Sequence, residues 1–229
     1  MNADAPPLRG IRWVCFDVGE TLIDETRQWA GWADWLGVTR LTFFAALGAV
    51  IAARRDHREV FQLLRPDFDL AAARAARVAA GQPESFGVAD LYPDVRPTLA
   101  QLRAGGLRIA IAGNQPLWAE ATLDTIGLPA DLVAASDRWG VHKPSPAFFA
   151  RLAHEAGASP EEIAYVGDRL DNDVLPARAA GMWAVFLRRG PWGHIHATWP
   201  ERKQAHMSIE RLDELPRLLG LDDGGGPGA

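Results

Sequence analysis

Trp13-Val14-Cys15-Phe16-Asp17-Val18-Gly19-Glu20-Thr21-Leu22 is the stretch from which the rest of this chain can be read. Its short apolar run, Trp13 to Phe16, reads as a buried strand, expected from about Ile11 to Asp17. The run ends on a carboxylate, Asp17, and breaks at Gly19. In an open α/β sheet, ligands bind just beyond the carboxyl ends of the strands. An Asp there is placed to act rather than to pack, although a lone Asp serves equally well as the turn residue that closes a strand. A second acidic stretch, near the far end of the chain, tips the balance.

The composition sets the outer bounds. The 229 residues are 48% hydrophobic and 23% charged, ordinary for a globular protein and enough for one large domain or a core plus an insertion. A formal net charge of -5 argues against a broad nucleic-acid surface. No apolar run is long enough to cross a bilayer. The start, Met1-Asn2-Ala3-Asp4-Ala5-Pro6-Pro7, lacks the basic and apolar regions of a signal peptide. The expectation is a cytoplasmic protein without membrane or nucleic-acid partners. Its single cysteine, Cys15, has no internal disulfide partner and suits a small core position.

Working outward from the first strand, residues 24–90 have a texture of their own. Trp29, Trp32 and Trp35 recur at helical spacing, followed by Leu41 to Arg54, Val60 to Leu64 and Leu70 to Ala80, with Gly37, Pro66, Gly81 and Pro83 as punctuation. The pattern predicts three or four amphipathic helices and no strand. From Leu91 onward, strands and helices alternate. Helices are expected at Pro93–Ala104, Leu117–Ile126, Pro146–Ala156, Asp173–Ala180 and Glu210–Leu219. Strands are expected at Leu107–Ala112, Leu132–Ala135 and Ile163–Val166, with Trp183–Leu187 the last. Ser159-Pro160-Glu161-Glu162 has the form of a helix N-terminal cap. Such alternation predicts an α/β fold: a Rossmann-like, doubly wound parallel sheet with a small all-helical cap domain. The expected division is a core of residues 8–23 and 91–220, a cap of residues 24–90, and flexible tails at 1–7 and 221–229.

Two strand ends then carry acids: Asp17, and Asp168 with Asp171 and Asp173 close behind. Strand ends on one edge of a parallel sheet can converge however far apart they lie in sequence. Carboxylates meeting there repel unless a cation sits among them, and a hard divalent ion with oxygen ligands, Mg²⁺, fits. Lys143, in Val141-His142-Lys143-Pro144-Ser145, lies on the loop after the Leu132 strand. A fixed ammonium there lowers the repulsion and can hold an anionic substrate. A carboxylate nucleophile, a hard metal and a lysine together suit phosphoryl transfer, with Asp17 attacking phosphorus to give an aspartyl-phosphate that water cleaves.

With these residues in view, the chain resembles the haloacid dehalogenase-like (HAD) hydrolases over most of its length. Asp17-Val18-Gly19-Glu20-Thr21-Leu22 is similar to the family's nucleophile loop, and Ile109-Ala110-Ile111-Ala112-Gly113-Asn114 to its second motif. Lys143-Pro144 matches the lysine motif, and Gly167-Asp168-Arg169-Leu170-Asp171-Asn172-Asp173 the acidic motif. The helical block falls where one group of the family carries a mobile cap. The resemblance implies Mg²⁺ held by Asp17, the backbone carbonyl of Gly19 and Asp168, with Asp173 steadying the metal's water shell. It implies a phosphoric monoester hydrolase acting on a small phosphorylated metabolite, with cap closure excluding water from the site.

Two positions depart from the family pattern. Its phosphatases carry an Asp two residues after the nucleophile, as general acid and base; this chain has Gly19. The second motif supplies a Ser or Thr hydroxyl; this chain has Gly113, followed by Asn114, the better candidate to orient the transferred group. Acid–base assistance is typically worth ~10²–10⁴-fold, so the loss weakens such an enzyme without removing the nucleophile, metal and lysine contributions. An accumulating aspartyl intermediate is the expected symptom. Glu20, His142 and Arg169 are further candidates near the site, while Asp171 and Asn172 suit a helix cap. Trp29, Trp32 and Trp35 suit cap core; Trp118 and Trp192 could wall the site. Two competing readings remain: a weakly active or non-catalytic HAD-like protein that binds a phosphorylated ligand, and a 2-haloacid dehalogenase, which needs no metal.

Overall fold

The computed structural model describes residues 10–221. The tails expected at 1–7 and 221–229 lie outside this range except for Leu221, which packs against the core and donates its N–H to the Pro216 carbonyl at 2.8 Å. Six strands form one sheet: β1 (Trp13–Phe16), β2 (Arg108–Gly113), β3 (Leu132–Ala135), β4 (Ile163–Gly167), β5 (Trp183–Leu187) and β6 (Met207–Ile209). Their order is β3-β2-β1-β4-β5-β6, and every neighbouring pair is parallel. The chain runs outward from β1 to β3, then returns to β4 on the other side of β1. That reversal opens a crevice at the carboxyl ends of β1 and β4.

Alternation along the strands builds two apolar layers. Val14 and Phe16 face one side with Ile109, Ile111 and Val166, covered by helices that supply Leu99, Leu123 and Leu215. Trp13 and Cys15 face the other with Ala110 and Tyr165, covered by Phe148, Phe149, Leu152 and Ala177. Cys15 is a free, fully buried thiol, and burial pushes its pKa up.

Between β1 and β2 lie α1 (Thr26–Leu36), α2 (Arg40–Ala52), α3 (Glu59–Leu64) and α4 (Leu70–Ala79), with no strand. They surround their own apolar cluster, in which Trp29 and Trp32 are buried with Phe43, Leu47 and Phe61, and Trp35 packs at the margin. The two connections to the sheet lie side by side: Ile23 bridges Leu91, and the Asp24 N–H donates to Asp90 O at 2.8 Å. After the insertion come α5 (Val95–Ala104), α6 (Leu117–Ile126), α7 (Ser136–Trp139), α8 (Pro146–Ala156), α9 (Leu175–Ala179), α10 (Gly190–His196) and α11 (Leu215–Leu218).

Several expectations need correction. The strand at Trp183–Leu187 is not the last: β6 adds an edge strand three residues long, too short to show a period. The closing helix expected at Glu210–Leu219 is a 3₁₀ turn, Leu212–Glu214, followed by α11. Pro216 suits the first turn of a helix, not its middle. The helix expected at Asp173–Ala180 begins instead as a π-helical turn, Leu170–Val174, before α9. Ser159 and Glu162 do form reciprocal cap contacts, but around a single 3₁₀ turn.

Candidate active site

Parallel pairing sets Phe16 opposite both Ile111 and Val166. The Asp17 N–H donates to Val166 O at 2.9 Å, so the first acid emerges beside the end of β4, where Asp168 follows Gly167. The π-helical turn then brings Asp173 back toward both. Carboxylate oxygens of Asp17, Asp168 and Asp173 lie within 4.8 Å of one another, and all three residues are buried. The acids that the sequence places on separate strand ends therefore share one pocket.

Lys143 completes the cluster from the loop between α7 and α8. Its buried ammonium donates to Asp17 Oδ1 at 2.7 Å and to Asp173 Oδ1 at 2.6 Å. Burial lowers the lysine's pKa, but the two carboxylates outweigh burial and leave it above the ordinary value. Asn114 holds this loop in place. Its Nδ2 donates to the Lys143 carbonyl at 2.8 Å, and the Lys143 N–H donates to its Oδ1 at 2.7 Å. Both ends of the Asn114 amide are thus on the lysine backbone, and the side chain is not turned toward a transferred group.

Charge does not balance within the cluster: three carboxylates face one ammonium. Burial, then the charges of Asp173 and Asp17, push the Asp168 carboxyl well up; burial raises Asp173 to about 6 despite Lys143. Among the described residues, Asp168 Oδ1 meets only the Thr21 hydroxyl, at 3.5 Å, and its buried Oδ2 has no partner. A buried orphan oxygen flanked by two more carboxylates is a donor set that suits a hard divalent cation.

Close approach explains the two departures from the expected motifs. A Cβ at position 113 would fall on Asp17 Oδ1, so no Ser or Thr fits there with Asp17 in this rotamer. A Cβ at position 19 would stand 2.5 Å from Glu25 Oε1. The carboxyl of Glu25 therefore covers the half-buried Gly19. Its Oε2 accepts from the Trp29 indole N–H at 3.1 Å. Burial first, then the Glu20 charge, raise the Glu25 carboxyl to about 8.

The other candidates have different tasks. Glu20 takes a left-handed backbone, φ 52°. Its carboxylate accepts from Tyr92 OH at 2.6 Å and from the Glu25 N–H at 3.0 Å, fixing the start of the insertion. His142 is exposed, unlike its neighbour Lys143. Arg169 makes a two-pronged pair with Asp171, its guanidinium 5.5 Å from the Trp192 ring centroid. Its own N–H donates to Asp173 Oδ2 at 3.0 Å. Trp192 is buried among the insertion's aromatics, 6.3 Å from Trp29, whereas Trp118 is 37% exposed and packs on Phe86.

Sequence reading did not find Glu25, Trp29 as its hydrogen-bond donor, or His196. Glu25 reads as an ordinary acid at a helix start, and nothing local shows that its side chain turns back over Gly19. His196, 1% exposed, accepts the Leu170 N–H on Nδ1 at 3.0 Å and so pins the π-helical turn.

A Rossmann-like sheet with a helical insertion after β1, and acids on β1 and β4 facing a buried lysine, defines a class of hydrolase. The chain belongs to the haloacid dehalogenase-like hydrolase family, whose model matches residues 11–181. It is 32% identical over 208 residues to a glyceraldehyde 3-phosphate phosphatase of Methanopyrus kandleri, covering 80% of this chain and 86% of that one. It is 30% identical over 222 residues to a phosphoglycolate phosphatase of Pseudomonas putida, covering 89% and 78%. Among solved structures, a HAD phosphatase from Thermococcus onnurineus matches with a TM-score of 0.57 at 26% identity, covering 92% and 98%. Among the described residues no single helix is long and apolar enough to cross a membrane.

Proposed function

We propose that the chain is a Mg²⁺-dependent phosphatase of small phosphorylated metabolites that works through an aspartyl-phosphate on Asp17. The observation that carries this reading is the shared pocket: three carboxylates within 4.8 Å, with Lys143 bridging Asp17 and Asp173. The phosphatase names of its relatives support it.

Asp17, Asp168 and Asp173 would hold the ion, together with the Gly19 carbonyl that the family pattern implies. When bound, the ion supplies positive charge against the pocket's carboxylates and the phosphoryl oxygens. Lys143 holds Asp17 Oδ1 in a fixed orientation, leaving Oδ2 as the attacking atom, and offers its ammonium to the phosphoryl group. Asn114 is a positioning residue that keeps Lys143 at that distance. In the second step water attacks phosphorus and the Asp17 carboxylate departs.

Residues 24–90 serve as the cap, with its hinges where Ile23 bridges Leu91. Trp29 and His57 meet Trp192 of α10, at 6.3 and 5.6 Å between ring centroids. This contact gives the closed position an apolar latch that excludes water.

The test is a screen of phosphorylated compounds and 2-haloacids, with and without Mg²⁺. Metal-dependent phosphate release is expected. Metal-independent halide release would instead establish a dehalogenase, and no turnover with any compound a binding protein.

A further inference from the structure

We propose that Glu25, carried into the site by the first helix of the insertion, is the general acid and base of this enzyme, in place of the side chain that Gly19 lacks. This rests on the phosphatase reading and names the residue that moves its protons.

Position singles out Glu25. An Asp at residue 19 would hold its carboxyl oxygens about 2.4 Å from its own Cβ, the span of one C–C and one C–O bond. Glu25 Oε1 stands 2.5 Å, and its carboxyl carbon 2.8 Å, from where that Cβ would be. Glu25 Oε1 thus stands as far from that position as a carboxyl oxygen of such an Asp would, approaching from the insertion instead of from the loop.

The surroundings hold it there. Glu25 immediately precedes α1, at its N-cap position, yet its side chain makes no capping hydrogen bond. Asp24 takes over that task, its Oδ1 accepting the Thr26 N–H at 2.8 Å. Glu25 is left to turn inward, where the Trp29 indole fixes Oε2 and Glu20 fixes its backbone N–H. Oε1 has no such anchor among the hydrogen bonds of these residues and faces Gly19. Other candidates are spoken for: Glu20 is bound to Tyr92, His142 points to solvent, and Asn114 is occupied by Lys143.

The steps balance. As Asp17 attacks, the bond from phosphorus to the ester oxygen breaks, and that oxygen takes the proton from Glu25, leaving as an alcohol. Glu25, now a carboxylate, takes a proton from water as the water oxygen bonds to phosphorus and the Asp17–phosphorus bond breaks. Inorganic phosphate leaves, Asp17 is again a carboxylate, and Glu25 is again protonated. Because Glu25 rides on α1, acid–base assistance is present only when the insertion is closed. The long-lived aspartyl intermediate expected from Gly19 then belongs to a Glu25 variant and not to the wild-type chain.

The experiment compares wild type, Glu25→Gln, Glu25→Ala and the double variant Gly19→Asp/Glu25→Ala. Probes are p-nitrophenyl phosphate, which leaves without a proton, and glycerol 2-phosphate, which needs one, each with Mg²⁺. Expected for Glu25→Gln is a ~10²–10⁴-fold loss of kcat on glycerol 2-phosphate. On p-nitrophenyl phosphate a burst of nitrophenol should precede slow turnover, with phosphate trapped on Asp17 by rapid quench. The double variant should recover at least tenfold over Glu25→Ala on glycerol 2-phosphate, because removing the Glu25 side chain frees the space an Asp at 19 needs. A Glu25→Gln enzyme that matches an active wild type on both probes overturns the assignment while the phosphatase reading stands. Loss without recovery in the double variant gives Glu25 a structural part and overturns it too. A wild type that releases phosphate from neither probe nor any other phosphate ester overturns the phosphatase reading and this assignment with it.

Discussion

At the scale of single residues, the site is a problem of unbalanced charge solved by position. Asp168 shows it most directly: among the described residues, one oxygen has only a long contact to Thr21 and the other has none. Removing its charge relieves repulsion from Asp17 and Asp173 in the metal-free chain. Asp168→Asn should therefore melt at or above the metal-free wild type, yet gain no stability when Mg²⁺ is added. A melting curve with and without the ion reads both effects, and a variant that still responds to Mg²⁺ would remove Asp168 from the ion's ligands. Asn114 makes the complementary case. Asn114→Ala takes away two hydrogen bonds to the Lys143 backbone and leaves a buried lysine less well fixed. Asn114 is itself exposed, so water can replace it at the Lys143 backbone, and each hydrogen bond lost costs roughly 0.5–1.5 kcal/mol. Denaturant unfolding should show that loss, and kcat should fall by more than KM rises, since the amide touches Lys143 and not substrate. Asp17, Lys143, Asp168 and Asp173 were legible in the sequence because each sits on a strand end or a short motif. The work of Asn114 and Glu25 was not, because it depends on how two loops pass each other. No spacing rule records that a carboxyl six residues after Gly19 returns to cover it.

At the scale of elements, what could be read were runs with clear ends. The bounds of β3, α6, α8 and β5 emerged as expected, marked by Gly127, Gly157 or by unbroken apolar residues. The short pieces α7, α10 and β6 did not, since three to seven residues carry too little period to stand out. The π-helical turn was also hidden, because tertiary contacts impose it. Asp173 reaches back to Arg169 and Lys143, and His196 of α10 accepts the Leu170 N–H. That last bond makes the turn sensitive to acid. The acceptor, Nδ1, must be unprotonated, and burial lowers His196 to about 4 from 6.5. Above pH 6.5 the imidazole is neutral in both folded and unfolded chains, and the stability is fully present. As pH falls from 6.5 toward 4 the unfolded chain gains a proton that the folded chain resists, so stability declines. At about 1.4 kcal/mol per pKa unit the whole loss is on the order of 3 kcal/mol. His57, also lowered to about 4 chiefly by burial, adds in the same direction. The raised carboxyls of Glu25, Asp168 and Asp173 act in the opposite direction, each gaining stability as pH falls through its folded value. The histidine is therefore read against a variant: the melting temperature of His196→Asn, which keeps an acceptor without a proton site, should rise relative to wild type as pH falls from 7 to 5. A difference between the two chains that stays constant with pH would remove His196 from the acid response.

At the scale of the molecule, two separately packed bodies of apolar residues meet over one crevice. The sheet presents its acids at the edge where the strand order reverses, and the insertion brings Glu25, Trp29 and His57 down onto that edge. Its hold on the sheet side is narrow. Trp192 and Ile195 of α10 enter the insertion's apolar cluster, and Arg54 pairs with Glu201 while lying 4.1 Å over the Trp199 ring. The Arg54–Glu201 pair is half exposed, and such pairs are worth about 0.2–1 kcal/mol. The aromatic contact is the stronger latch, and a buried Trp removed from a core costs ~3–5 kcal/mol. Trp192→Leu keeps much of the apolar volume while losing the rings' contact, so it should weaken closure more than folding. The ion and the latch then predict separable effects. On the proposed reading Mg²⁺ would bind only the folded pocket, which at a hundredfold excess over Kd corresponds to about 2.7 kcal/mol of stabilisation, or roughly 5–11 °C in a chain this long. Trp192→Leu should keep that thermal response, because no ligand of the ion is touched. Its kcat on an alkyl phosphate should nevertheless fall at least tenfold, since an insertion that spends less time closed leaves the aspartyl intermediate open to water but without Glu25 beside it. Should the variant lose the Mg²⁺ response together with its activity, the latch would be part of the ion pocket's own architecture, and closure would not be an independent step.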